Sequence, residues 1–256
     1  MKIVFLGTGT SIGVPAIGCR CRVCRSKDPR NKRRRASLYI HAGDRHVMID
    51  TPPDFRDQVL TFGVPRLDAV LFTHAHADHL LGFDDVRRFN VVQGQAIPVY
   101  GSASTLADLQ RVFPYIHRRP VPGLSFPTVR ICPVSGPFRI GGLRVEPLPI
   151  EHAGMPTYAF KLTAAGVSVG YAPDCAVMPV ATLKRLQGVD VMILDALRRA
   201  SHPTHLSLDQ SVALLKILGA RKSYITHMGH DLDHAGTQAE VPRGITVPYD
   251  GLTLRL

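Results

Sequence analysis

The chain has 256 residues, of which 45% are hydrophobic and 20% charged, and its formal net charge is +11. This composition excludes a disordered chain and is typical of a globular protein with a substantial buried core. No apolar run approaches the roughly 20 residues of a membrane helix, which argues against an integral membrane protein. No linker, internal repeat or low-complexity segment interrupts the sequence, so we expect a single domain over residues 1–256.

The chain begins with a β-type run, KIVFLG at residues 2–7. Its apolar stretch IVFL is shorter than the roughly 7–15 apolar residues of a signal peptide, so we expect a first strand and a cytoplasmic protein. The following GTGTSIG has spaced glycines but lacks the Gly-Lys-Ser/Thr of a phosphate-binding loop. We therefore expect a tight turn beside the functional site rather than a nucleotide fingerprint.

Three of the five cysteines lie close together, at Cys19, Cys21 and Cys24 in the stretch GCRCRVCR. Such clustering is not a disulfide framework, and in a cytosolic protein it is more often metal-binding. A tetrahedral metal needs a fourth ligand, which this stretch does not offer. Cys132 and Cys175 have no other cysteine nearby in the sequence, and we expect them to be small, buried apolar side chains.

The positive charge is mostly arginine, and its densest run is NKRRR at residues 31–35. One interpretation is an ordinary solvated surface. The other is an electrostatic field that attracts anionic, phosphate-bearing substrates. No nucleic-acid-binding motif accompanies the run, so we do not expect a nucleic-acid partner.

Further β-type runs follow along the chain, and helical patterns separate some of them: PPDFRDQVLTFG, DDVRRFNVV, MPVATLKRLQG and LSLDQSVALLKILGA. The last pattern is the clearest helix, with Ser207 as its expected N-cap and Gly219 at its end. Strands occur in runs and then alternate with helices in each half of the chain. This order predicts two sheets packed face to face with helices outside.

The most informative stretch is LFTHAHADHLLGFDD, in which a β-type run ends and His74, His76, Asp78 and His79 follow. His74 and His76 are two residues apart, so on extended backbone they point to the same side. Three imidazoles and a carboxylate are costly to bury without a partner. Their spacing therefore indicates a metal site.

His-Ala-His-Ala-Asp-His after an apolar strand resembles the signature of the metallo-β-lactamase fold hydrolases, and the resemblance covers nearly the whole chain. It implies the α+β class and an αββα sandwich, with two mixed β-sheets and helices on the outer faces. It also implies a two-metal site at one edge of the sheets. Further single ligands are expected where later β-type runs end, at His152 in PLPIEHAG, Asp174 in VGYAPDC and His227 in YITHMGH.

By this resemblance the two metals have separate ligand sets. His74, His76 and His152 would bind one metal, and Asp78, His79 and His227 the other. Asp174 would bridge the pair. Imidazole with carboxylate suits zinc, while a bridged site equally accepts manganese or iron.

The stretches GTGTSIGVPAIGCRCRVC, THAHADH and THMGHDLDH look like the PhnP-type phosphodiesterases, which open phosphoribosyl 1,2-cyclic phosphate in phosphonate metabolism. That branch implies a structural zinc held by Cys19, Cys21, Cys24 and His230. It also implies a histidine before the last long helix that faces the metals. His205 matches that position, and His202 is a near neighbour that the sequence does not exclude. Asp78 and His205 are the expected catalytic residues.

The implied reaction is hydrolysis of a small anionic substrate, a cyclic phosphodiester, by a water shared between two metals about 3.5–4 Å apart. The expected product is ribose 1,5-bisphosphate. One alternative is another hydrolase of this fold that acts on RNA, a lactone or a thioester, although the chain shows no arm for RNA. A different class is a non-hydrolytic relative, such as a quinone-cofactor biosynthesis protein or an iron-dependent oxygenase. A homodimer would be ordinary for this family.

Two carboxylates near the motif are candidates to support the ligand histidines. Asp50 directly precedes TPPD, and Asp54 is its last residue; relatives often have Thr-Gly-Pro-Asp there. Metal-ligating histidines usually donate their second N–H to such a group. Either residue could equally cap a helix. His234 in DLDH is a further candidate to face the cleft.

Overall fold

The computed structural model describes residues 1–117 and 125–256 and contains two seven-stranded mixed sheets within those residues. The first sheet has the order β14-β1-β2-β3-β4-β5-β6. Its strands are β1 (Lys2–Gly7), β2 (Ser37–Ala42), β3 (Arg45–Ile49), β4 (Ala69–Leu71), β5 (Ile97–Gly101), β6 (Val129–Pro133) and β14 (Thr253–Arg255).

The second sheet repeats this plan in the order β13-β12-β11-β10-β9-β8-β7. Its strands are β7 (Phe138–Ile140), β8 (Leu143–His152), β9 (Met155–Ala164), β10 (Val167–Ala172), β11 (Val191–Asp195), β12 (Lys222–Thr226) and β13 (Ile245–Thr246). In each sheet the pairings are antiparallel on one side and parallel on the other. Parallel strands need crossover connections, which here carry most of the helices.

The α-helices lie at α1 (Phe55–Phe62), α2 (Ala77–Leu80), α3 (Val86–Gln93), α4 (Ala103–Val112), α5 (Val180–Leu186), α6 (Leu208–Leu218) and α7 (His234–Glu240). Short 3-10 helices occupy Pro29–Asn31, Phe83–Asp85 and Pro114–His117. Among the described helices, none combines the length and the apolar character needed to cross a bilayer.

The layers of the sandwich form because each central strand is buried on both faces, one against the other sheet and one against helices. In β1, Ile3 and Phe5 pack against residues of the other sheet, whereas Val4 and Leu6 pack under the helices of their own sheet. Successive side chains of a strand point to opposite faces, so a strand buried on both faces needs an unbroken apolar run such as IVFL. The predicted α+β class and αββα layers are confirmed.

The two predicted ends of α6, Ser207 as the N-cap and Gly219 at the end, are confirmed. Ser207 Oγ accepts from the backbone N–H of Gln210, and Gln210 Oε1 accepts from the backbone N–H of Ser207. This reciprocal pair is a capping box at the start of α6. Gly219 ends this helix in the left-handed conformation, with φ 62°. The sequence analysis missed the short elements α7, β7 and β14, and it also missed α4, although Ser102 caps that helix and its ten residues have one buried face.

Part of the arginine run is buried inside the fold, which the interpretation as a solvated surface did not predict. Arg33 is only 2% exposed and donates from Nη1 to Gly229 O (3.0 Å) and from Nη2 to Leu232 O (2.6 Å). Burial lowers the pKa of its guanidinium to about 10, so it stays charged at neutral pH. Lys32 Nζ donates to Cys24 O at 3.1 Å. Much of this run therefore holds loops together.

We expect Arg33→Ala to lower the free energy of unfolding by about 3 kcal/mol, because two buried carbonyl groups lose their charged donor. Urea unfolding followed by circular dichroism measures this. The matched control is Arg30→Ala, which removes an exposed ion pair with Asp28 and should cost far less, because solvent screens exposed pairs. Equal losses in the two variants would contradict a bracing role for Arg33.

Candidate metal centre

The histidines and aspartates of the expected centre lie where strands of both sheets end. His74 and His76 follow β4, and His79 lies on α2. Asp174 follows β10, His152 is the last residue of β8, and His227 directly follows β12. The sandwich therefore brings together side chains that are far apart in sequence.

The first group contains three imidazoles. His74 Nε2 lies 3.0 Å from His76 Nδ1, and His152 Nε2 lies 3.1 Å from the same atom. A tetrahedral zinc with bonds of about 2.0–2.1 Å places its nitrogen ligands about 3.4 Å apart. These three atoms could therefore bind one ion.

The second group contains one carboxylate and two imidazoles. Asp78 Oδ2 lies 3.3 Å from His79 Nε2 and 3.4 Å from His227 Nε2. All three ligand atoms lie within 4.8 Å of one another. This group could bind a second ion, and its members are those that the resemblance implied.

Asp174 lies between the two groups. Its Oδ2 is 3.1 Å from His79 Nε2, and its Oδ1 is 3.4 Å from His227 Nε2 and 3.7 Å from His152 Nε2. The buried atoms His79 Nε2 and Asp174 Oδ2 find no hydrogen-bond partner among the described residues. Nitrogen and oxygen donors that are buried, convergent and unpaired fit a pair of divalent cations.

The charges at the centre favour metal ligation. Burial lowers the pKa of His152 to about 4 and that of His74 well below its ordinary value, so both rings are neutral at pH 7. Burial opposes ionisation of Asp174, but His227 and His79 hold its pKa well below the ordinary range. Burial opposes protonation of His79, but Asp174, Asp50 and Asp78 hold its pKa well above the ordinary value, so that ring carries a proton that a metal would displace. Neutral imidazoles and ionised carboxylates are the forms that bind metals.

Asp50 supports one histidine of each group. Its Oδ2 accepts from His79 Nδ1 at 2.7 Å and from Thr73 Oγ1 at 2.8 Å. Because the Thr73 hydroxyl is used as a donor to Asp50, it accepts from His74 Nδ1 at 2.9 Å. Both rings therefore turn Nε2 toward the centre. This geometry agrees with the supporting role expected for Asp50.

Asp54 does not support a histidine of the centre, but it occupies the N-cap position of α1. Its carboxylate accepts from the backbone N–H of Arg35 at 2.8 Å and pairs with the Arg35 guanidinium at 3.1 Å. It precedes α1 without a side-chain capping bond. Asp54 therefore fixes the arginine run to α1.

Two residues at the centre have strained backbones. Asp50 has φ 62° and His227 has φ 58°, a left-handed conformation that residues other than glycine seldom adopt. Such conformations persist only where surrounding contacts impose them, and they cluster at functional sites. Both residues place a functional side chain just beyond the end of a strand.

His205, and not His202, lies directly on the centre. Its ring stacks on His227 with centroids 4.8 Å apart and meets His152 edge-on at 4.6 Å. The ring of His202 lies 5.3 Å beyond His205, and its Nδ1 accepts from the backbone N–H of Thr204. The structure thus places His205 where the resemblance implied.

Asp195 orients His205 and was missed by the sequence analysis. The carboxylate is fully buried and accepts from His205 Nδ1 at 2.9 Å through Oδ2. The same oxygen accepts from the backbone N–H groups of Cys175 and Leu206. A signal was present in the sequence, because Asp195 ends the apolar run VMILD. Asp174 was predicted from the same kind of position, after an apolar run.

The cysteine cluster meets its expected fourth member. Cys19 Sγ and Cys21 Sγ lie 3.3 and 3.4 Å from His230 Nδ1, and the ligand atoms of all four residues lie within 4.8 Å of one another. Tetrahedral zinc would separate sulfur and nitrogen ligands by about 3.5 Å. The backbone N–H of Cys24 and the His230 ring lower the pKa of Cys21 to about 6, which favours the thiolate that binds metal.

The glycine-rich loop packs beside this segment, as expected. The backbone N–H of Met228 donates to Thr8 O at 2.9 Å, and that of Thr10 donates to Met228 O at 3.2 Å. A Cβ on Gly7 would lie 2.0 Å from Arg35 O, so only glycine fits there. The loop thus holds the backbone next to His227.

Three other expectations have different outcomes. Cys175 is buried, as predicted, whereas Cys132 is only partly buried, so that prediction is wrong. His234 is the first residue of α7, and its ring centroid lies 6.0 Å from that of Tyr249. Its backbone N–H donates to Asn31 Oδ1. Its contacts are therefore with Asn31 and Tyr249, which are not ligands of the proposed metal centre.

We expect purified protein to carry about three metal ions per chain, and Cys21→Ser to remove one of them while the other two remain. The reason is that Cys21 contributes to the four-residue cluster alone. Elemental analysis by mass spectrometry measures the count, and Cys132→Ser is the matched control. Retention of all three ions by Cys21→Ser would show that the cluster does not hold a structural metal.

Comparisons with known proteins agree with this geometry. The β-lactamase superfamily domain matches residues 45–228. The chain is 36% identical over 262 residues to an octanoyltransferase of Porphyromonas gingivalis; the match covers 98% of this chain but 51% of that protein, so the chain spans about half its length.

Two solved structures extend the comparison. A crystal structure described as a new diphosphatase from the PhnP family is 39% identical, covers 100% of this chain and 97% of that chain, and has a TM-score of 0.91. Zn²⁺-bound PqqB from Methylobacterium extorquens has a TM-score of 0.82 at 22% identity, with 100% of both chains covered, and shows the fold alone. The chain therefore belongs to the PhnP family of metallo-β-lactamase fold proteins, within the β-lactamase superfamily.

Proposed function

We propose that this protein is a dinuclear metal-dependent hydrolase of phosphodiesters, and that its substrate is a small cyclic phosphodiester such as phosphoribosyl 1,2-cyclic phosphate. The observation that carries the proposal is the position of Asp174 between two convergent ligand groups, with the His205 ring stacked on the centre. Such a site suits a reaction in which water attacks phosphorus and negative charge accumulates on oxygen.

The proposed ligands are those implied by the sequence, with zinc or manganese in the centre and a structural zinc on the cysteine cluster. Bound divalent cations would supply an activated water and neutralise charge on the phosphoryl oxygens. Asp50 and Thr73 hold His79 and His74 with Nε2 turned inward. Thr204 O accepts from His152 Nδ1 at 2.8 Å and fixes the third ring in the same way.

His205 is the proposed proton donor to the departing sugar oxygen. Its Nδ1–H is donated to Asp195, so Nε2 is the nitrogen that can pass a proton to a substrate. Burial lowers the pKa of the ring, which makes its protonated form a stronger acid. Asp195 is then a positioning residue. Asp78 combines a ligand position with a second carboxylate oxygen that could accept a proton from water.

A second candidate reaction is hydrolysis of a diphosphate. The PhnP-family structure that is 39% identical to this chain is described as a diphosphatase. Both reactions attack phosphorus and place charge on its oxygens, so one centre can serve either. The octanoyltransferase likeness gives less support, because the chain matches only about half of that protein. The likeness to PqqB concerns the fold alone.

We expect His205→Ala to lower kcat for a diester by about 100-fold or more, because general acid catalysis is lost while the metal ligands remain. Turnover of bis(4-nitrophenyl) phosphate by protein of known metal content measures this. His202→Ala is the matched control and should retain most of its kcat. A His205→Ala variant with both centre metals and the turnover rate of the unchanged protein would contradict the assignment.

We expect Asp195→Asn to lower kcat by about 10-fold with little change in KM, because the His205 ring loses its carboxyl partner but the ligands do not move. A purely structural effect would change KM, metal content and thermal stability together. Kinetics and elemental analysis on the same preparation separate the two. A variant that binds fewer metals would assign Asp195 to the support of the centre instead.

A further inference from the structure

A cleft of about 660 Å³ opens beside the metal centre. His152 and Thr204 form part of its wall, and the carbonyl of Thr204 accepts from the His152 ring. His152 also lies 3.1 Å from His76 and 3.7 Å from Asp174. The cleft therefore shares His152, one of the proposed ligands, with the metal centre.

Apolar side chains form much of the cleft wall, alongside a substantial share of polar surface. Met155, Pro156, Val177 and Pro203 line it together with Ile150. Among the described lining residues Glu151 alone has a fully charged side chain, and neither lysine nor arginine is present. A phosphate group here would meet a carboxylate and no cation, which is electrostatically unfavourable.

The cleft is preformed rather than dependent on a mobile loop. Ala153 (φ 49°) and Gly154 (φ 69°) form a tight turn between the paired residues His152 and Met155. Two consecutive positive φ angles are typical of the rigid two-residue hairpin. Across the cleft, the backbone N–H of Glu151 donates to Val177 O at 2.9 Å, and that of Ala176 donates to Glu151 O at 2.8 Å.

We propose that this cleft is the subsite for an uncharged organic arm of the substrate, one with an apolar face such as a ring. The inference rests on the proposed function, which places the substrate phosphorus at the metal centre. Preformed apolar concavities with few polar groups bind such ligands by burial of apolar surface. Val177, Met155 and Pro156 are then specificity-determining residues. Any second negative group of the substrate lies outside this cleft.

The kinetic experiment compares two diesters on the metal-loaded full chain: bis(4-nitrophenyl) phosphate and methyl 4-nitrophenyl phosphate. Both release the same phenolate, so they differ in the arm that is retained. After division by their rates with hydroxide in solution, we expect kcat/KM to favour the aryl arm by about 10-fold or more. Burial of a ring supplies a factor of this size.

Val177→Asp is the informative variant, because Val177 is 51% exposed and a carboxylate there is tolerated by the fold. It should reduce the aryl preference by about 10-fold. Ile217→Asp, at a residue on α6 that is 56% exposed, makes the same charge change away from the cleft and should leave the preference unaltered. Equal preference in the unchanged protein and Val177→Asp would overturn the assignment of the cleft.

A binding measurement separates the subsite from the reaction. Calorimetric titration of the metal-loaded protein should show diphenyl phosphate binding about 10-fold more tightly than dimethyl phosphate, with the difference lost in Val177→Asp. Tighter aryl binding without turnover of either diester would support the subsite and refute the proposed function. Turnover of both diesters with equal normalised rates and equal binding would refute the subsite alone.

Discussion

The buried carboxylate of Asp174 is the constraint on which the rest of the site depends. It is 1% exposed and therefore needs positive charge close by. Imidazoles from both halves of the sandwich surround it, namely His79 from the first sheet and His152 and His227 from the second. An ionised carboxylate buried among imidazoles is stable only with cations or protons between them. The two sheets thus meet at an anionic centre suited to metals.

The segment from His227 to His230 couples this centre to the cysteine cluster. His227 faces Asp78 and Asp174, and three residues later His230 meets Cys19 and Cys21. The segment is fixed from outside as well, since Arg33 donates to Gly229 O and the glycine-rich loop pairs with Met228. A displacement of His230 at the cysteine cluster would therefore be transmitted to His227 through three residues of backbone, and His227 itself has a strained φ angle.

The basic character of the chain is distributed in a way that composition alone does not show. Part of the densest arginine run is used inside the fold, where Arg33 and Arg35 hold carbonyl and carboxylate groups. The cleft beside His152 has apolar side chains over much of its wall instead. Net charge can guide an anion toward a protein, but the groups lining each cleft decide which part of the substrate binds there.

The sequence by itself determined the ligand types and the layers of the fold. HAHADH on a strand end, single ligands after later apolar runs and three clustered cysteines are local patterns, and strand alternation sets which faces are buried. Tertiary structure decided the supports: Asp50 acting through Thr73 on two histidines, Asp195 on His205, and Arg33 on the His230 segment. Each of these depends on distance and burial between residues that only the folded chain brings together, and no spacing along the sequence encodes them.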